Sequence, residues 1–184
     1  MPQVVAFLRA INVGGHVVTM ERLRELFEEA GCEQVETFIA SGNVIFHTKA
    51  RNLAALEAKL EKHLHKALGY EVKTFIRSVP EVETLATYAA FSPEEAAKAH
   101  TISVGFLATP LAKEAIASVG AMQSPEDTFH HNGRELFWLT RISQADSKLS
   151  NTKFEKAMKA NVTFRNLNTV QRLAKKYGSK TTKA

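Results

Sequence analysis

The stretch VETFIASGNVIFH, residues 35–47, decides the fold. Two β-rich runs, Val35–Ala40 and Val44–His47, flank Ser41-Gly42-Asn43. Those three residue types close tight turns, because glycine accepts φ > 0 without steric cost while serine and asparagine bond back to nearby backbone. A hairpin is expected here, and its flanks say what kind of sheet it joins. Upstream, Thr19 can cap a helix whose Met20, Leu23, Leu26, Phe27 and Ala30 recur at helical spacing, with Gly31 as terminator. Before that, Val4–Leu8 reads as a strand leading into the loop Ile11-Asn12-Val13-Gly14-Gly15. Downstream, Leu53, Leu56, Leu60, Leu64, Ala67 and Leu68 form one apolar stripe of a second helix ended by Gly69, and Val72–Ile76 is a fourth strand. The order β-α-β-β-α-β over residues 3–77 is the ferredoxin-like split βαβ unit.

The pattern then restarts. Residues 79–100, with Pro80, Pro93 and many alanines, read as a linker carrying short helices. A strand Thr101–Leu107 and a helix Leu111–Val119 follow, then a hairpin of Thr128–His131 and Glu135–Leu139 around Asn132-Gly133, predicted as a type I′ turn. A helix Ser150–Ala160 and a strand Val162–Phe164 complete the second set. A last helix, Thr169–Tyr177, turns Val170, Leu173, Ala174 and Tyr177 inward and Arg172, Lys175 and Lys176 outward. The expected fold class is α+β: two ferredoxin-like (βαββαβ) halves with antiparallel sheets, plus a C-terminal helix. The domains expected are residues 1–78, the linker 79–100, and a C-terminal α+β half, 101–184. Residue identity between the halves is slight, so the repeat reads as architectural. Phe137 and Trp138 alternate across a strand, which predicts one in the core and the other partly exposed.

No run approaches the roughly 18 to 20 apolar residues that span a bilayer, and no basic segment precedes an apolar one at the N-terminus, so neither a membrane nor export is expected. The single cysteine, Cys32, excludes an intrachain disulfide and a C-x-x-C site, which fits a cytoplasmic location. The net charge of +5 is unevenly spread. From Arg141 onward, eleven Lys or Arg face only Asp146 and Glu155, a surplus of nine, whereas residues 1–140 carry thirteen against seventeen. A clustered cationic surface favours a polyanionic partner.

Two constellations follow from the topology. The first gathers Arg9, Asn12, Gly14, Gly15, Thr19, Ser41, Gly42 and Asn43 at one rim of the first sheet. Helix N–H groups, glycines that admit a close ligand, and one Arg suit a phosphate or carboxylate. The plainer reading is turns, a cap, and an Arg paired with a carboxylate. The second is Thr163-Phe164-Arg165-Asn166-Leu167-Asn168-Thr169, where Asn168 and Thr169 are candidate caps of the last helix and Arg165 either clamps an anion or locks that helix through carbonyls. Lys148, Lys153, Lys156 and Lys159, with Arg172, Lys175 and Lys176, form the basic surface, whose plainer reading is a solvated helix face.

Chemistry-bearing motifs are lacking. Gly14-Gly15 is neither G-x-G-x-x-G nor a P-loop, and no G-x-S-x-G occurs. His63 and His65 point to different faces of a helix and His130 and His131 alternate across a strand, so no metal and no cofactor is expected. Cys32 reads as an inert thiol. No catalytic set is legible.

Three motifs carry a resemblance: Phe7-Leu8-Arg9-Ala10-Ile11-Asn12-Val13-Gly14-Gly15, Ser41-Gly42-Asn43-Val44-Ile45-Phe46, and Val162-Thr163-Phe164-Arg165-Asn166-Leu167-Asn168-Thr169-Val170. In this order they resemble the bacterial family called domain of unknown function 1697, from Val4 to about Leu173. The resemblance implies two α+β subdomains and brings no activity, substrate or catalytic residues. The family's opening often reads Leu-Arg-Gly-Ile-Asn, and Ala10 stands here in place of that glycine. The residues themselves point to a non-catalytic protein that binds an anion, with nucleic acid or a phosphorylated small molecule as the expected partner. A small enzyme acting on a phosphorylated or carboxylated metabolite is the rival, and a protein-interaction module the third reading.

Overall fold

The computed structural model describes residues 1–39 and 42–179. The chain divides into two compact units: Met1–Leu85 together with the residues from Arg172 onward, and Ala86–Gln171. The first holds β1 (Gln3–Leu8), α1 (Met20–Glu29), β2 (Glu33–Thr37), β3 (Asn43–His47), α2 (Leu53–Leu68), β4 (Thr74–Ser78) and most of α3 (Val79–Thr87). The second holds α4 (Pro93–Ala97), β5 (Thr101–Phe106), α5 (Lys113–Gly120), β6 (Asp127–Asn132), β7 (Glu135–Thr140), α6 (Asn151–Met158) and β8 (Thr163–Asn166). The helix α7 (Leu167–Tyr177) begins in the second unit and ends in the first. Among the described residues, no helix is long and apolar enough to cross a membrane.

Each unit carries a four-stranded antiparallel sheet, ordered β2-β3-β1-β4 and β6-β7-β5-β8, which is the ferredoxin-like order expected of the α+β class. In the first unit, the α1 stripe Leu23, Leu26 and Phe27 and the α2 stripe Leu56, Leu60 and Leu64 close over Val4, Ala6 and Leu8 of β1. In the second, Phe154 and Met158 of α6 and Ala115 and Val119 of α5 close over Leu136 and Trp138. Both ends of α1 are set as its sequence predicts: Thr19 Oγ1 accepts from Arg22 N, and Gly31 follows Ala30 at φ +92°.

The two units repeat residues as well as topology. Val5 pairs with Arg77 and Val104 with Arg165, and this register aligns Val5-Ala6-Phe7-Leu8 with Val104-Gly105-Phe106-Leu107. Both arginines donate to the carbonyl of the preceding residue, at 2.9 Å each, and Arg77 is wholly buried. The alanine-for-glycine difference has a steric cause. Ala6 faces Ile76, but Gly105 faces Phe164, and a Cβ there would come within 2.6 Å of the ring.

Four local expectations are corrected. Phe137 and Trp138 are both buried, because every residue of β7 is, and the Trp138 indole donates to Asp127 at 2.7 Å. The second hairpin turns on Gly133-Arg134, with Asn132 paired to Glu135; only Gly133 has positive φ, which fits type II′ and not type I′. The last helix starts at Leu167, two residues early, and the side chain that receives its early N–H is Asn166, bonded to Asn168 N at 2.9 Å. The fourth strand is shifted to Thr74–Ser78, while Val72 is buried beside it.

Candidate functional site

At the rim of the first sheet, the loop leaving β1 turns through Ala10 at φ +59°, a conformation that disfavours any residue with a Cβ. Arg9 is half-buried, and its N–H reaches Lys73 O at 2.8 Å. The loop is closed at its base by Asn12 Oδ1, which accepts from Val18 N at 2.8 Å. It is braced by Tyr70, whose hydroxyl donates to Ile11 O at 2.8 Å and whose ring stacks on His16 at 3.9 Å. Gly14 and Gly15 are exposed, both at positive φ, with open space where a side chain would stand. From the facing turn, Gly42 O accepts from Leu8 N at 2.8 Å, and the buried Asn43 donates to Phe38 O and Ile39 O at 2.9 and 3.2 Å. Leu8 and Phe7 therefore meet Gly42 and Asn43, and Arg9 follows them in the chain with its N–H on Lys73; Ser41 lies outside the described residues. Tyr70 and His16 were not among the expected rim residues. The one available signal was a tyrosine directly after the helix-ending Gly69.

In the second unit, Arg165 donates to Thr163 Oγ1 at 2.8 Å and to Phe164 O, so one of its nitrogens serves its own strand. Part of the residue touches solvent, yet the guanidinium lies deep enough that desolvation lowers its pKa to about 10, still charged at neutral pH. Asn166 holds the start of α7, as described above, and Asn168 is exposed.

The basic residues fall into two groups. Lys153 and Lys156 are three apart on α6, away from its buried Phe154 and Met158, with Lys148 before the helix and Lys159 at its C-cap. All four are exposed, Lys153 donates to the carbonyl of Lys148, and among the described residues none has a carboxylate partner. Glu155, the only acid on α6, is turned to Val162 N at 3.0 Å. Arg172 and Lys176 on α7 are differently placed. They lie over the Phe38 ring at 5.7 and 5.4 Å, and Lys176 also reaches Glu36 at 3.3 Å. Tyr177 donates to the same Glu36 oxygen at 2.8 Å, which, with Lys176, holds that carboxyl below its usual range. Lys175 is exposed.

Cys32 is buried, and desolvation pushes its thiol up to about 11, against the thiolate that reactivity needs. Among the described residues no group of three His, Cys, Asp or Glu is placed to hold a metal.

Comparison with known proteins agrees with this architecture. The chain superposes on the conserved bacterial protein SP0830 from Streptococcus pneumoniae with a TM-score of 0.75, covering 97% of this chain and 99% of that one at 22% identity, which supports a shared fold. No curated protein matches the sequence. A family model matches residues 1–137, spanning the rim motifs and ending before the Val162–Val170 motif. With the ferredoxin-like repeat and the Arg9 and Gly42-Asn43 rim in place, the chain belongs to the family described as protein of unknown function (DUF1697).

Proposed function

We propose that this protein is a non-catalytic binder of polyanions, with nucleic acid as the leading ligand, and that the α6 lysines are its principal contact. The observation that carries this reading is the row of Lys148, Lys153, Lys156 and Lys159, exposed and without carboxylate partners among the described residues. Such a row gains free energy on a phosphate backbone by releasing condensed counterions, independently of sequence. Arg172 and Lys176, tied to Phe38 and Glu36, contribute less. Arg9 with the open Gly14-Gly15 loop, and Arg165 with Asn166 and Asn168, are secondary candidates for a small anion. They rank second because Asn12, Asn43 and Asn166 already spend side-chain atoms on their own loops.

The test is fluorescence anisotropy with labelled duplex and single-stranded oligonucleotides over a salt series. Affinity is expected to fall with a log–log slope of roughly −0.9 for each lysine engaged on a duplex. Lys153→Glu with Lys156→Glu should weaken binding to all sequences alike and flatten that slope. Salt-independent binding, or a double variant that binds as tightly as the parent, would overturn the reading.

A further inference from the structure

Beyond the lysine row, we propose that the outer edge of β6 and the apolar cleft beside it form a docking site for an extended peptide segment of a partner protein, one with an apolar side chain and an acidic residue at one end.

The backbone of β6 makes the first part of the case. Glu126 O accepts from Arg141 N, and Asp127 pairs in register with Thr140, which fixes the alternation along the strand. Asp127 shows its outward side directly: its N–H goes to Ser124 Oγ and its carbonyl accepts from Ser124 N. Two and four residues on, the N–H and C=O of Phe129 and His131 must point the same way, and among the described residues nothing pairs with them. The register with β7 is unbroken through all six residues, so this edge is straight and has no bulge to turn a strand away.

The cleft supplies side-chain recognition. Leu111, Ile116, Val119, Phe129, His131 and Leu136 line a space of about 140 Å³ between α5 and β6. Phe129 and His131 thus contribute their backbone to the edge and their side chains to the cleft. A strand added along β6 would bond through its main chain and drop alternate side chains toward α5. The charge at one end selects the flank. By Leu111, α5 opens at Ala112 with no side-chain cap, and the next residue is Lys113, exposed and without a carboxylate partner among the described residues. An uncapped helix start beside an ammonium group favours a carboxylate there.

Fluorescence polarisation would test this with labelled hexapeptides of alternating valine and threonine carrying aspartate at one end or the other, against the same core with lysine at that end. One of the aspartate peptides is expected to bind at least about tenfold more tightly than its lysine counterpart, the worth of one charge-assisted contact. His131→Pro removes an outward donor without touching the ladder to β7, and Ile116→Glu places a charge in the cleft. Each should abolish peptide binding while thermal melting and duplex binding stay at parent levels, which separates this site from the lysine row. Binding unchanged in a folded His131→Pro, equal affinity for the aspartate and lysine peptides, or a concentration-dependent dimer that His131→Pro dissolves would overturn the proposal. The last outcome would assign the edge to a second copy of the chain.

Discussion

The strands β2 and β6 hold the same place in the two sheets, each at the edge beside the hairpin partner, and they are finished in opposite ways. In β2 the register slips between Glu33 and Glu36, Gln34 sits at φ +51°, and the end of α7 fastens Tyr177 and Lys176 onto Glu36. A bulge and a docked helix are two of the ways proteins keep an edge from pairing with another chain. In β6 the ladder is regular to its last residue. The central strands tell the reverse story, since Val-Ala-Phe-Leu and Val-Gly-Phe-Leu stand in the same register against arginine-bearing fourth strands. Sheet centres packed on both faces tolerate few solutions, while edges are at liberty to diverge toward different tasks.

That contrast can be broken at three points. Gly105→Ala should cost about 1 to 3 kcal/mol, the price of overpacking against Phe164. The reciprocal Ala6→Gly, facing Ile76, should lose only about 1 kcal/mol in backbone entropy and packing. Chemical denaturation of both variants checks the pair, and equal losses would mean that Phe164 moves aside freely. Ala10→Gly should stabilise by about 1 kcal/mol, because the loop already holds φ +59° and glycine pays no Cβ penalty there. An unchanged or lower melting temperature would show that the loop relaxes around the alanine. The smallest effect is expected from Tyr177→Phe at the closed edge. The Glu36 carboxyl, held down chiefly by the Tyr177 hydroxyl, contributes stability that is present above the ordinary carboxylate pKa and is lost as pH falls through the lowered folded value. In the variant this loss on acidification should shrink. A stability–pH curve parallel to the parent's would remove Tyr177 from the account.

The amphipathic stripes of α1 and α2 and the turn chemistry between β2 and β3 were enough to specify the topology, and topology alone brought the end of β1 to Gly42 and Asn43. What the sequence concealed depends on register. Arg77 follows Phe75-Ile76 and looks like the polar end of a strand, yet it is wholly buried. Its match to Arg165, and that of Ala6 to Gly105, emerges only when strands are paired residue by residue. The sequence suggests a later start for α7 because Asn166, Asn168 and Thr169 are all cap-forming types, and the choice among them is made by tertiary position. The turn at Gly133 lies one residue later than its sequence suggests for a similar reason: Asn-Gly and Gly-Arg both suit two-residue hairpins, and strand register decides between them. The rim illustrates the same limit, since proximity was legible but the partners taken by Asn12 and Asn43 were not.

The division of α7 between the units has a consequence for how the chain is made. The first unit is assembled from residues at both ends of the sequence, so a ribosome delivers β1 through α3 long before it delivers Arg172, Lys176 and Tyr177. During that interval Phe38 and Glu36 lack the helix that later covers them, and β2 is guarded by its bulge alone. A nascent N-terminal unit is expected to remain more open to proteases and chaperones than the finished protein, until the last helix is released and completes it.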